Sequence, residues 1–100
     1  MTRGAYELTI LHGIPDPDEN VDVEVRFEDG ARYAATFATI ANLAVLLDRY
    51  EATGECLGGT YIWMADLIVV RCLDLPTIAA TVADLIEQKE FTASFRHLVD

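Results

Sequence analysis

The stretch VDVEVRFEDGARYAATF, residues 21–37, decides the fold of this chain. Valine or phenylalanine stands at positions 21, 23, 25 and 27, and a charged residue stands at every position between them. A period of two places the apolar side chains on one side of an extended chain, which is typical of a half-buried β-strand. Residues 31–37 repeat the alternation, so the stretch predicts two strands joined by a tight turn.

The length of this turn decides which residues of the two strands face each other. A two-residue loop would place Arg32 opposite Phe27, on the apolar side, because paired residues share a face of the sheet. A three-residue loop, residues 28–30, pairs Phe27 with Ala31 and keeps every apolar side chain on one side. Gly30 then supplies the left-handed residue of a type I turn with a G1 bulge, and we predict this register.

Three further stretches predict strands. Residues 6–11 alternate apolar and polar side chains, and residues 61–64 and 67–70 are rich in the aromatic and β-branched residues that strands favour. The intervening Ala65-Asp66 fits either a tight turn or a bulge in one bent strand. Residues 67–70 are apolar at every position, which predicts a strand inside the sheet.

Two helices are predicted as well. Thr39 is a suitable N-cap for the first, and Gly54 stands where a helix ends in a left-handed residue. Asp74 can cap the second helix, since aspartate is a favoured N-cap residue. Pro76 is compatible with this start, because proline is tolerated in the first turn of a helix. The apolar stripes of the two helices, at helical spacing, are Ile40, Leu43, Leu47 and Tyr50 in the first and Ile78, Val82, Leu85 and Ile86 in the second.

The order β-β-β-α-β(β)-α, followed by a short C-terminal helix at residues 91–98, predicts an α+β fold. We expect one domain spanning residues 1–100, a two-layer sandwich with a mostly antiparallel sheet of four or five strands and two helices on one face. An acidic loop at residues 13–20 should separate the first two strands. The other face of the sheet should carry the polar strand residues, Glu7, Thr9, Asp22, Glu24, Arg26, Arg32 and Thr36.

Composition excludes several classes of function. The 100 residues carry a formal net charge of −10, which disfavours nucleic acid and anionic membrane surfaces as partners. The first residues show no signal peptide, and no apolar run is long enough to span a membrane. Two cysteines do not make a disulfide framework, so we expect a reduced, cytoplasmic protein.

Motifs for catalysis, metal binding or cofactor binding are not apparent. Gly58-Gly59 follow a helix and lack the lysine of a phosphate-binding loop, which indicates a helix end and turn instead. Cys56 would need an activating base, and the neighbouring Glu55 disfavours a thiolate. Residues 16–27 resemble a calcium loop but lack its glycine and its final glutamate. The two histidines do not have the spacing of zinc ligands. From these observations together, we expect that the protein is not an enzyme and binds no cofactor and no metal.

The residues we select for interaction are Tyr61, Trp63, Asp22, Glu24 and Arg26. Tyr61 and Trp63 are two residues apart and share one face, as core residues or as the centre of an interface ringed by acidic side chains. The sequence leaves both open. If the two residues form the centre of an interface, we expect a non-enzymatic protein that works through protein–protein contact, with a protein partner or as a homodimer.

Two alternatives remain at this stage. The first is an immunity- or antitoxin-like protein that binds a basic partner through its acidic sheet face. The second is a small enzyme or ligand-binding domain with a cleft between sheet and helices. A buried polar cluster in that cleft, such as Tyr33 with His97, would favour the second alternative.

Overall fold

The computed structural model of the chain describes residues 5–11 and 20–99. It has an α+β fold, as predicted, with the element order β-β-β-α-α-β-α-α-β. The predicted acidic loop lies outside the described residues except for Asn20. The elements are β1 (Tyr6–Ile10), β2 (Val21–Phe27), β3 (Arg32–Ala38), α1 (Ile40–Thr53), α2 (Glu55–Gly59), β4 (Leu67–Val69), α3 (Leu75–Glu87), α4 (Phe91–Ser94) and β5 (Arg96–Leu98).

The sheet is mostly antiparallel, as expected. Strands β1, β2 and β3 lie side by side as antiparallel neighbours. Two short strands share the outer edge of β3: β5 pairs with its first half in the antiparallel sense, and β4 pairs with its second half in the parallel sense. The β3–β4 connection therefore crosses over through α1, α2 and the segment that follows them.

The hairpin between β2 and β3 has the predicted register. Val25 lies opposite Tyr33. The Phe27 N–H donates to the Ala31 carbonyl at 2.9 Å, and the Gly30 N–H donates to the Phe27 carbonyl at 2.9 Å. Gly30 has a φ of 89°, which only glycine adopts readily. The three-residue loop is confirmed, and Val21, Val23, Val25, Phe27, Tyr33, Ala35 and Phe37 share one face, whereas Ala34 lies opposite Glu24 on the other.

The hydrophobic core lies on that face of the sheet. Helix α3 covers it with Ile78, Val82 and Ile86, as its apolar stripe predicted. The Asp74 side chain caps the helix by accepting the Thr77 N–H at 2.8 Å, also as predicted. The buried core cluster comprises Val21, Val23, Val25, Phe27, Tyr33, Ala35, Phe37, Val70, Leu73, Ile78, Val82, Ile86, Phe91 and Phe95.

Aromatic rings fix the last part of the chain to this core. The Phe91 ring of α4 packs edge-on against Phe27 at 5.3 Å and against Tyr33 at 5.1 Å, measured between ring centroids. It also stacks on Phe95, with the ring centroids 4.4 Å apart. The predicted terminal helix is limited to Phe91–Ser94, because the chain then extends and pairs with β3 as β5.

Helix α1 has the predicted ends but not the predicted buried face. The Thr39 hydroxyl accepts the Asn42 N–H at 3.0 Å, and Gly54 ends the helix in a left-handed conformation. Ile40 is 76% exposed, whereas the buried residues are Leu46 and Asn42. The other three residues of the expected stripe, Leu43, Leu47 and Tyr50, are half-buried, and no residue of α1 is a member of the core cluster on the sheet.

Candidate functional site

The chain leaves α1 through an unusual turn. Element α2 is one left-handed helical turn, with φ values of 50° at Cys56, 53° at Leu57 and 65° at Gly58. Left-handed geometry is unfavourable for residues that have a Cβ, so surrounding contacts must hold Cys56 and Leu57 in this conformation. Gly59 supplies such a contact, because its Cα packs against the backbone of Leu47 in α1. The turn thereby sends the chain back toward the sheet.

The returning segment, residues 61–64, is neither helix nor strand and leads into a turn at residues 65–66. The prediction of a strand at residues 61–64 was wrong, because the segment has no ladder partner among the described residues and pairing begins only at β4. Its side chains still alternate. Tyr61 is 50% exposed and Trp63 is 77% exposed, whereas Ile62 and Met64 between and after them are half-buried.

Tyr61 and Trp63 therefore point outward from the same side of the segment. We call these two residues the aromatic strip. Of the two readings that the sequence left open, the structure places both residues at the surface instead of in the core. Leu57, in the turn just before the strip, is exposed as well. Tyrosine and tryptophan are the residues most enriched at the energetic centres of protein interfaces, since each buries a large rigid area.

The other candidate interaction residues lie on β2, on the side of the sheet away from the core. The Glu24 carboxylate is 3.4 Å from the Arg32 guanidinium and 4.0 Å from that of Arg26. The Asp22 carboxylate accepts a hydrogen bond of 2.9 Å from the Thr36 hydroxyl. We call this side of the sheet, with the polar residues of β1, β2 and β3, the open face.

The open face is mixed in charge instead of uniformly acidic. Besides the pairs around Glu24, Arg96 of β5 lies 3.7 Å from the carboxylate of Asp66, beside the open-face residue Thr36. Positive and negative groups are therefore interspersed on this face, although Arg26 of β2 lies directly opposite Arg32 of β3. Neither Tyr61 nor Trp63 belongs to a strand of the sheet.

The residues considered for catalysis are not brought together. Cys56 is partly buried in the left-handed turn, and Cys72 is exposed. Within residues 5–11 and 20–99, no group of three histidine, cysteine or acidic residues is placed to hold a metal ion. In the same part of the chain, no helix combines the length and apolar character needed to cross a membrane.

Tyr33 and His97 do meet, as neighbours in the β3–β5 ladder. Their rings stack with centroids 4.8 Å apart and planes inclined by 25°. The imidazole is exposed, however, and Tyr33 is held by Phe27 and Phe91 on its other sides. The pair closes the edge of the aromatic core instead of lining a cleft.

An apolar groove that the sequence did not indicate lies where α1 and α3 begin. Ile40 and Val69 are its exposed apolar residues, and Arg71 and Asp74 stand among its lining residues. It forms because β3 and β4 run parallel and end side by side, each leading into a helix. Periodicity within single elements carries no signal for such a junction.

The fold and these surfaces define a small α+β domain with a surface-exposed aromatic strip. Comparisons with protein-family models, with curated proteins and with solved structures give no match to the chain.

Proposed function

We propose that this protein works through protein–protein contact, without a reaction of its own, and that the aromatic strip is a contact surface. The observation that carries the proposal is the joint exposure of Tyr61 and Trp63, which alternate with the half-buried Ile62 and Met64. A partner that covers both rings would bury a large apolar area at little cost in side-chain freedom, because each ring has two rotatable bonds.

The backbone around the strip supports this proposal. Ile62 and Met64 anchor the segment from the opposite side, and the left-handed turn fixes its start against α1. A surface held in this way loses little conformational entropy on binding, which favours affinity. The partner is a protein, and the simplest case is a second copy of the chain. Because Cys56 and Cys72 are both free, we place the protein in the reducing cytoplasm.

The geometry gives less support to the immunity-like alternative. Glu24 is bracketed by Arg26 and Arg32, so the open face offers a basic partner no uniform negative field. Charge reversal at Asp22 and Glu24 tests this alternative. A loss of association rate and of its salt dependence would restore the alternative in place of the aromatic strip.

The strip is tested by purifying tagged chain from its native cell beside a Trp63→Ala variant and a Tyr61→Ala variant. We expect a protein, or an untagged second copy, to remain with the native chain in fixed proportion and to be lost from both variants. Val99→Ala is the matched control, since Val99 is also exposed and lies far along the chain from the strip. If the same proteins stay with all four chains, the strip is not the contact surface.

A further inference from the structure

The first strand leaves one edge of the sheet without a partner. Strand β1 pairs with β2 along one side, and no strand pairs with its outer side in the part of the chain that the structure describes. An open strand edge presents unpaired N–H and C=O groups and is a template for another strand. Strand β1 is five residues long, whereas β4 and β5, at the opposite border of the sheet, have three residues each.

The hydrogen bonds to β2 show which backbone groups face outward. The Leu11 N–H donates to Asp22, and the Ala5 carbonyl accepts from Glu28, so the odd-numbered residues of this strand direct their groups toward β2. Direction alternates along an antiparallel strand. The N–H and C=O groups of Tyr6, Leu8 and Ile10 therefore point away from the sheet.

We propose that this edge pairs with β1 of a second copy, antiparallel and centred on Leu8, to make one sheet that continues through two molecules. In this register Leu8 faces Leu8 of the second copy, and Tyr6 faces Ile10. All three outward N–H groups and all three outward C=O groups of each copy then find partners across the two-fold axis. The inference goes beyond the proposed function, because this contact between two copies lies at β1 and not at the aromatic strip.

Charge selects the same register. Glu7 is the only charged residue of β1, and it lies opposite Arg26 of β2 within its own copy. Pairing centred on Leu8 places Glu7 opposite Thr9 of the second copy. Pairing centred on Glu7 would place two carboxylates directly opposite each other, which is unfavourable. Pairing centred on Thr9 would leave the outward groups of Tyr6 without partners among residues 6–10.

The apolar side of β1 also favours a second copy. Leu8 and Ile10 are half-buried against the core cluster, and the Tyr6 ring packs against Phe27 with centroids 5.7 Å apart. A second β1 in this register would add three apolar side chains beside these, so the core would run on from one copy to the other. The β1 strand contains no proline or lysine, the residues with which proteins commonly block an edge.

The register is tested by a disulfide that only this pairing allows. Glu7→Cys and Thr9→Cys are made separately, each with Cys56→Ser and Cys72→Ser. Mixed under mild oxidation, they should form a covalent heterodimer, because a facing pair without direct hydrogen bonds places its Cα atoms about 4.5 Å apart. Either variant alone is the control. Its cysteines lie diagonally, about 7–8 Å apart, which is too far for a disulfide.

Affinity is tested by sedimentation of Thr9→Glu beside Thr9→Lys across a concentration series. Thr9 is exposed on the open face, and circular dichroism confirms that each variant is folded. We expect the native chain to form a dimer. Thr9→Glu should raise the dissociation constant of this dimer about fivefold or more, because the new glutamate faces Glu7 of the second copy. Thr9→Lys should not raise the dissociation constant.

A native chain that stays monomeric at millimolar concentration overturns the inference. So does a dimer in which the two cysteine variants do not cross-link. If such a dimer is dissociated by Trp63→Ala, the copies meet through the aromatic strip, and the proposed function stands without the β1 contact. If cross-linking succeeds while Trp63→Ala and Tyr61→Ala lose no partner, the β1 contact stands and the strip proposal fails.

Discussion

The Cα of Gly59 packs against the carbonyl oxygen of Leu47, with no space for a side chain between them. This contact joins the left-handed turn α2 to the middle of α1. A Cβ at this position would overlap the Leu47 carbonyl and crowd the Glu51 N–H. The position of the returning segment, and with it the direction of the aromatic strip, depends on this close approach.

Gly59→Ala should therefore destabilise the fold by at least about 3 kcal/mol, since overlap with the helix backbone adds to the cost of left-handed geometry. Gly58→Ala is the control: Gly58 is also left-handed, but a Cβ there would meet open space. The control should cost only about 1 kcal/mol. Urea unfolding measures both, and equal losses would show that the contact with Leu47 is unimportant.

Asp74 should make the stability of α3 depend on pH. Hydrogen bonds from the Thr77 side chain and the Thr77 backbone N–H hold the pKa of Asp74 below its ordinary value of 3.8. A lowered pKa in the folded state stabilises the protein above pH 3.8, and this contribution is lost as pH falls through the folded value.

Asp74→Asn keeps a capping side chain without this titration, and Asp74→Ala removes the cap. At neutral pH the urea midpoint should fall in the order native, Asn, Ala, and the native–Asn difference should vanish in strong acid. A constant difference at all pH values would contradict the assigned role.

Phe91 should be the residue on which attachment of the C-terminal segment depends most. It is buried and contacts the rings of Phe27, Tyr33 and Phe95. Phe91→Ala should destabilise the protein by about 3–5 kcal/mol and weaken the near-ultraviolet circular dichroism of the aromatic cluster. Val99→Ala, at a residue 83% exposed, should change stability by no more than about 0.5 kcal/mol. A small effect at Phe91 would mean that the segment contributes little to the core.

Trp63→Ala should leave folding stability within about 0.5 kcal/mol of the native chain, because the indole is mostly outside the fold. Trp63 is the only tryptophan, so its fluorescence reports on the strip alone. In the monomer the indole should emit at the long wavelength typical of solvent-exposed tryptophan, and acrylamide should quench this emission readily. If the emission of a dilute monomer is instead at short wavelength and resists acrylamide quenching, the Trp63 ring lies inside the fold.

The sequence predicted the central hairpin and both helix starts because local chemistry decides them. The alternation of residues 21–37 leaves one register that keeps Arg32 off the apolar face, and the structure has it. Thr39 and Asp74 cap helices through bonds to residues three positions ahead. Such interactions are complete within a few residues, so a single sequence contains them.

The sequence failed where distant parts of the chain decide the outcome. The apolar stripe of α1 is regular, but Ile40 is exposed and no residue of the helix belongs to the core cluster on the sheet. Strand β5 has three residues and no alternation that marks it, since its partner β3 supplies the pairing. The left-handed turn at Cys56 and Leu57 has non-glycine residues at positions where sequence rules expect glycine.

The candidate site was half predicted. The sequence showed that Tyr61 and Trp63 share a side, because a period of two follows from any extended chain. It did not show which side faces solvent, because that depends on where α1 lies. It also did not show that Arg96, which arrives from the end of the chain, lies 3.7 Å from Asp66 beside the open-face residue Thr36.

Exposed and half-buried side chains alternate along residues 61–65, so the requirements of folding and of surface contact fall on different positions. Ile62 and Met64 are half-buried, whereas Tyr61 and above all Trp63 are exposed. Substitutions at the outward positions can thus accumulate without unfolding the domain. Under the proposed function, a lineage carrying this fold can exchange one recognition specificity for another at these outward positions, while the inward positions keep the scaffold unchanged.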